Sequence, residues 1–226
     1  MKSLVIASVS TLPGFVIAWF LSNYFGNEDY TFYVLIQNIS IGINLALNFG
    51  LNTFMLRYKT NSLLGDAINE VKFIYLGYFI LTTLITSIYY LSFYDKSIEP
   101  IYFIIPVIIS STLLLVTNNF QQFFIGQGDM NYAHIRFIAS PKLVGILLLV
   151  VFYLANENFN EFSIYFYLVQ LLIVIIGINL FQHSNLNKSR SIAIIKKYSY
   201  QWSTFLLHGI YSPLLIMYMS STNKAL

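Results

Sequence analysis

Seven long apolar runs separated by short polar stretches dominate this chain: Ser3–Leu21, Thr31–Leu56, Phe73–Tyr94, Ile101–Ile125, Phe137–Ala155, Ser163–Phe181 and Gln201–Met219. A helix needs about 20 mostly apolar residues to cross a bilayer at 1.5 Å per residue. The runs are about twice the length of a barrel strand and do not alternate, which argues against a β-barrel. Only 9% of residues are charged, against 57% hydrophobic, whereas a water-soluble domain carries roughly 25% charge. The expected fold is therefore an all-α membrane protein, a polytopic transmembrane helix bundle of about seven spans. Ser3–Leu21 is long for a signal-peptide core and no small-x-small cleavage site follows, so it reads as a retained span.

The loop charges predict an orientation. Basic residues collect on the cytoplasmic side of short loops. With the N-terminus cytoplasmic, Lys2, Arg57, Lys59, Lys72, Arg136, Lys142, Lys188, Arg190, Lys196 and Lys197 fall inside, and only Lys96 and Lys224 outside. Acids lean the other way, with Glu28, Asp29, Asp95, Glu99, Glu157 and Glu161 outside. Within Asn61–Lys72, Leu64, Ala67, Ile68 and Val71 recur at helical spacing, which suits a short helix lying in the membrane interface; Lys188–Tyr198 has a similar pattern beside four basic residues. An ordinary loop anchored to anionic lipid explains either segment more simply.

Enzyme chemistry has no visible seat. His134, His183 and His208 are far apart, cysteine is absent, and there is no HExxH, phosphate-binding loop or dinucleotide glycine pattern. The sequence thus predicts no catalytic residues, no metal site, no cofactor, no nucleic-acid partner and no enzyme activity. The Gly126–Asp129 turn reads as a helix C-cap.

Polar residues within the spans are the functional clue. Ser40, Asn44, Asn48 and Asn52 follow one another at i+4 with Gln37 beside them, and Ser111, Asn118 and Gln122 repeat the pattern with Asn119 and Gln121 adjacent. Such rows are costly against lipid and should point into the protein. They serve either to hydrogen-bond one helix to another or to line a water-accessible cavity. Three basic residues, Arg57, Arg136 and Lys142, stand near inner span ends. Lys142 lies about 9 Å beyond Arg136 along a helix. It either snorkels to the headgroups or faces inward and offers charge to an anion, with Pro141 loosening the helix before it. Pro13 and Pro213 mark further possible bends.

Four stretches resemble the oligosaccharide flippases of the polysaccharide-transporter family, within the multidrug/oligosaccharidyl-lipid/polysaccharide exporter superfamily. Leu12–Gly26 resembles their opening helix, and Glu28–Tyr33 their acidic-aromatic outer turn. Asn48–Tyr58 is similar to their helix-end glycine–leucine step followed by arginine, and Gln122–Tyr132 to the turn joining their fourth and fifth helices. The resemblance implies a MATE-like two-lobe transporter. Residues 1–183 would form one complete six-helix lobe, 184–200 a basic cytoplasmic connection, and 201–226 the first helix of a truncated second lobe. It also implies a polyprenyl-pyrophosphate-linked oligosaccharide as substrate, flipped by alternating access across the bacterial cytoplasmic membrane for O-antigen, capsule or exopolysaccharide synthesis. Partners would be that lipid-linked oligosaccharide, membrane lipids and other polysaccharide-assembly membrane proteins. Arg57, Arg136 and Lys142 would meet the pyrophosphate, and Asn44, Asn48, Asn52, Asn118 and Gln122 the sugar hydroxyls.

Two other functions are compatible with the sequence. A cation-coupled multidrug or metabolite exporter of the same superfamily would ordinarily carry an intramembrane Asp or Glu, and the spans have none. An inactive remnant or accessory subunit would suit the early stop at Leu226.

Overall fold

A computed structural model describes residues 2–58, 64–93 and 98–176, together with 194, 195 and 197. Among these residues the fold is all-α, without strands. Four helical segments are long and apolar enough to cross a membrane: Asn27–Leu47, Leu64–Ser92, Pro100–Gly126 and Met130–Leu154. The helices are α1 (Lys2–Phe20), α2 (Asn27–Leu47), α3 (Leu51–Leu56), α4 (Leu64–Phe93), α5 (Pro100–Gly126), α6 (Met130–His134), α7 (Ser140–Leu154) and α8 (Phe159–Ile175). The expected seventh span and the connection at 184–200 lie outside the described residues, apart from Ile194, Ile195 and Lys197.

Large apolar side chains cover the exterior, among them Phe15, Phe79, Leu84, Leu91, Leu147 and Leu154. A water-facing surface would bury most of these, whereas hydrocarbon tolerates them. Helix α5 is the axis of the bundle and packs against α2, α3, α4, α6 and α8. Its buried Phe103, Val107, Leu115, Phe120 and Phe123 fill that interior. Phe152 of α7 and Phe162 of α8 stack nearly parallel with ring centroids 4.0 Å apart.

Helix ends collect at two opposite faces. At one, the Asp29 carboxylate from α2 accepts hydrogen bonds from the backbone amides of Phe159 and Asn160 at the start of α8. Those amides have no intrahelical acceptor, so Asp29 caps α8 from another helix. At the other face α3 ends against the end of α5, where a Cβ on Gly126 would collide with the Leu56 carbonyl oxygen. Among the described residues the first face carries Glu28, Asp29, Glu99, Glu157 and Glu161 and no Lys or Arg. The second carries Arg57, Lys72 and Arg136 with Asp66, Glu70 and Asp129.

Three stretches differ from the sequence-based expectation. Thr31–Leu56 is two helices rather than one long span, interrupted at Asn48–Gly50. The segment expected as an interfacial helix before Lys72 is instead the first two turns of α4, with Leu64, Ala67 and Val71 buried in the core. The fifth span begins at Met130, well before Phe137. It passes through a π-helical turn at Ile135–Ala139. Pro141 explains that turn: it offers no N–H to the Phe137 carbonyl and its ring crowds that oxygen, so the ladder widens by one residue. The Gly126–Asp129 turn is a C-cap as expected, with Gly128 at φ 93°. Its amide and that of Asp129 reach back to the carbonyls of Ile125 and Phe124 at 3.0 and 2.9 Å.

Candidate functional site

The break between α2 and α3 shapes the first cavity. Phe49 (φ 50°) and Gly50 (φ 78°) both adopt left-handed conformations, which glycine takes freely and phenylalanine rarely does. The Asn48 side-chain oxygen accepts from the Asn52 amide at 3.2 Å, and the Asn48 carbonyl accepts from the Leu51 amide at 2.9 Å. Backbone groups freed by the break are thereby satisfied locally. Non-helical backbone at membrane depth is tolerated where it is buried or lines a cavity.

Such a cavity is present. It measures about 300 Å³ and lies between the α2–α3 break and α5. Its walls include Asn44, Asn48, Asn52, Asn118 and Gln122, with Leu45, Gly50, Thr53 and Leu56. All five amide residues picked from the sequence therefore converge on one chamber. The Asn44 amide also reaches the Tyr78 hydroxyl, and the Asn52 amide oxygen has no hydrogen-bond partner within the described residues.

A second cavity of about 270 Å³ adjoins it through Asn118, which lines both. Lys142 lines this second chamber together with Gln37, Ser110, Thr117, Gln121 and Gln170. The ammonium rests against the backbone of α1, its Nζ 3.2 Å from where a Cβ on Gly14 would stand. Gly145 similarly leaves room for the Gln170 amide nitrogen, 3.0 Å from its hypothetical Cβ. Two glycines thus make room for two polar side-chain ends at the chamber wall. Gln37 donates to the Tyr167 hydroxyl at 3.1 Å and so ties α2 to α8 across the chamber.

The three cations named from the sequence are not brought together. Arg57 is exposed beyond the end of α3, outside both cavities. Arg136 donates to the Ile176 carbonyl at the end of α8 and to Ser140 Oγ at 3.4 Å, with its guanidinium 5.9 Å from the Phe137 ring centroid. A cation on C-terminal carbonyls complements the helix dipole, so Arg136 serves as a cap. Only Lys142 faces a chamber. It is twelve residues from each end of the Met130–Leu154 helical segment, six residues and about 9 Å along it from Arg136 at the basic face.

The fifth-helix polar row also divides. Asn118 and Gln122 face the first chamber. Ser111 and Asn119 turn toward α4, where the Tyr78 hydroxyl donates to the Ser111 carbonyl and Asn119 donates to the Tyr75 hydroxyl, both at 3.0 Å. Thr82 and Thr86 extend this fully buried seam along α4. The seam escaped the sequence reading, although Tyr78, Thr82 and Thr86 at i+4 spacing signal it. Near the basic face the Tyr58 hydroxyl donates to the Glu70 carboxylate at 2.9 Å, fastening the end of α3 to the start of α4.

The architecture defines the class of the molecule, an all-α membrane protein with polar chambers in its interior. No family model, curated protein or solved structure matches the chain.

Proposed function

We propose that this protein is a flippase for a polyprenyl-pyrophosphate-linked oligosaccharide, seated in the bacterial cytoplasmic membrane with its basic face toward the cytoplasm. The observation that carries this reading is the pair of adjoining chambers, one walled by five amide residues and the other holding Lys142. Amides both donate and accept, which suits sugar hydroxyls. A buried ammonium attracts a phosphate as a point charge. Translocation needs no covalent step, since different affinities in two access states suffice to carry a cycle. Among the described residues no carboxylate lines either chamber, which disfavours a cation-coupled drug exporter.

In this scheme the sugar repeat occupies the amide chamber, the pyrophosphate approaches Lys142, and the lipid tail stays in the bilayer. Arg57 attracts the anionic headgroup to the basic face, whereas Arg136 acts structurally. The test is surface polysaccharide in a strain whose own flippase is deleted, complemented with this chain. Restoration that is lost in Lys142→Glu and weakened in Asn48→Ala/Asn118→Ala supports the proposal. Restoration that survives both variants sinks the assignment of the chambers, and no restoration by the wild-type chain sinks the activity.

A further inference from the structure

Lys142 poses an electrostatic problem that the described residues do not solve. Its ammonium is half-buried inside the membrane-spanning bundle, and among the described residues no Asp or Glu lines its chamber. Among the described residues it has neither an ion pair nor a hydrogen-bond acceptor. Charges in that setting are paired or neutralised. The other polar groups nearby add donors. Ser110 is 1% exposed, and among the described residues neither its Oγ nor Thr117 Oγ1 has a partner. The Gln170 amide nitrogen donates only one of its protons, to the Phe166 carbonyl at 3.2 Å.

We propose that the Lys142 chamber is a binding site for a small monovalent inorganic anion, chloride under cellular conditions. One fixed positive charge is balanced by one negative charge, and the surrounding hydroxyl and amide donors replace part of the anion's hydration. At about 270 Å³ the chamber has room for a halide with accompanying water. The site exists whether or not the protein transports anything. Where the flippase proposal also holds, which is the one step that rests on it, chloride occupies the lysine between transport events and the pyrophosphate displaces it.

The experiment is thermal unfolding of the full-length protein in nanodiscs, with sodium gluconate exchanged for sodium chloride at constant ionic strength. Ligand present at ten times its Kd raises the midpoint by roughly 3 °C in a protein of this size. Wild-type protein and Lys142→Arg should show a saturable rise of that order with chloride, and Lys142→Gln none. Lys142→Gln should fold, because it removes a charge that otherwise requires a partner. A wild-type midpoint indifferent to chloride overturns the proposal, as does an equal response in Lys142→Gln. Sodium phosphate forms a third arm, and stabilisation by phosphate but not chloride overturns the monovalent assignment. These readouts do not involve export, so failure of the flippase reading leaves them unaffected.

Discussion

Gly126 and Gly77 form a matched pair for testing the wall of the amide chamber. Both are helical glycines without positive φ. Replacing a helical glycine with alanine ordinarily stabilises by about 0.5–1 kcal/mol. At Gly77 a new Cβ meets nothing within 4 Å among the described residues, so that gain should appear undiminished. At Gly126 the Cβ runs into the Leu56 carbonyl oxygen and lies 3.2 Å from Leu56 Cα. Backbone cannot swing aside as a flexible side chain can, so α3 must move away from α5. Overpacking of this kind costs roughly 1–3 kcal/mol, enough to reverse the propensity gain. With each kcal/mol shifting the midpoint of a protein of this size by roughly 2–4 °C, Gly126→Ala should melt several degrees below Gly77→Ala. Thermal unfolding in one detergent or nanodisc preparation measures both. Equal midpoints would refute the close approach of α3 to α5, and with it the chamber wall formed by Leu56 and Gln122.

Three further substitutions probe neighbouring features by the same melting assay. Gly50→Ala places a Cβ on a residue at φ 78° and should destabilise by about 1 kcal/mol; an unchanged midpoint would mean that the helix does not break there. Asp29→Ala removes the acceptor that caps α8 from α2, with an expected loss of about 1–2 kcal/mol, and Asp29→Asn should recover part of it. Arg136→Gln should cost about 1 kcal/mol through the carbonyl contact at the end of α8, while Arg57→Gln should leave the midpoint in place.

The all-helical character was legible from the length of the apolar runs, since of the two folds that hide backbone polar groups from lipid, helices and closed barrels, only helices use runs this long. Convergence of the five amide residues was legible in part. The i+4 spacing of Asn44, Asn48 and Asn52 predicts one face of a continuous helix, yet the helix breaks after Asn48. The three side chains still meet because Asn48 caps the next helix through the Asn52 amide. A left-handed Phe49 is a tertiary compromise that local preference argues against, and only the following glycine hints at it. The start of α4 was misread because Asp66, Glu70 and Lys72 suggest a segment outside the membrane. Asp66 is exposed, while Leu64, Ala67, Val71 and Ile74 continue a single buried stripe into the span. Grouping Lys142 with Arg57 and Arg136 at an inner mouth followed from starting its span at Phe137. Starting at Met130 instead places Lys142 midway along the helical segment. The Tyr78–Thr82–Thr86 seam offers only hydroxyl groups, which a helix can bond back to its own carbonyls, so it stands out less than a row of amides.

If these amides and Lys142 line water-accessible chambers rather than cement helices together, water-borne reagents should reach them. Because the chain contains no cysteine, single cysteines can be introduced without background. The most direct measurement is labelling of Asn48→Cys, Asn118→Cys and Lys142→Cys by a charged thiol reagent, beside Leu84→Cys and Leu147→Cys on the exposed apolar surface. The chambers predict labelling at the first three positions and protection at the lipid-facing two, since a thiol reacts as thiolate and needs water. Protection at all five would contradict the account and leave the polar rows as helix-packing contacts.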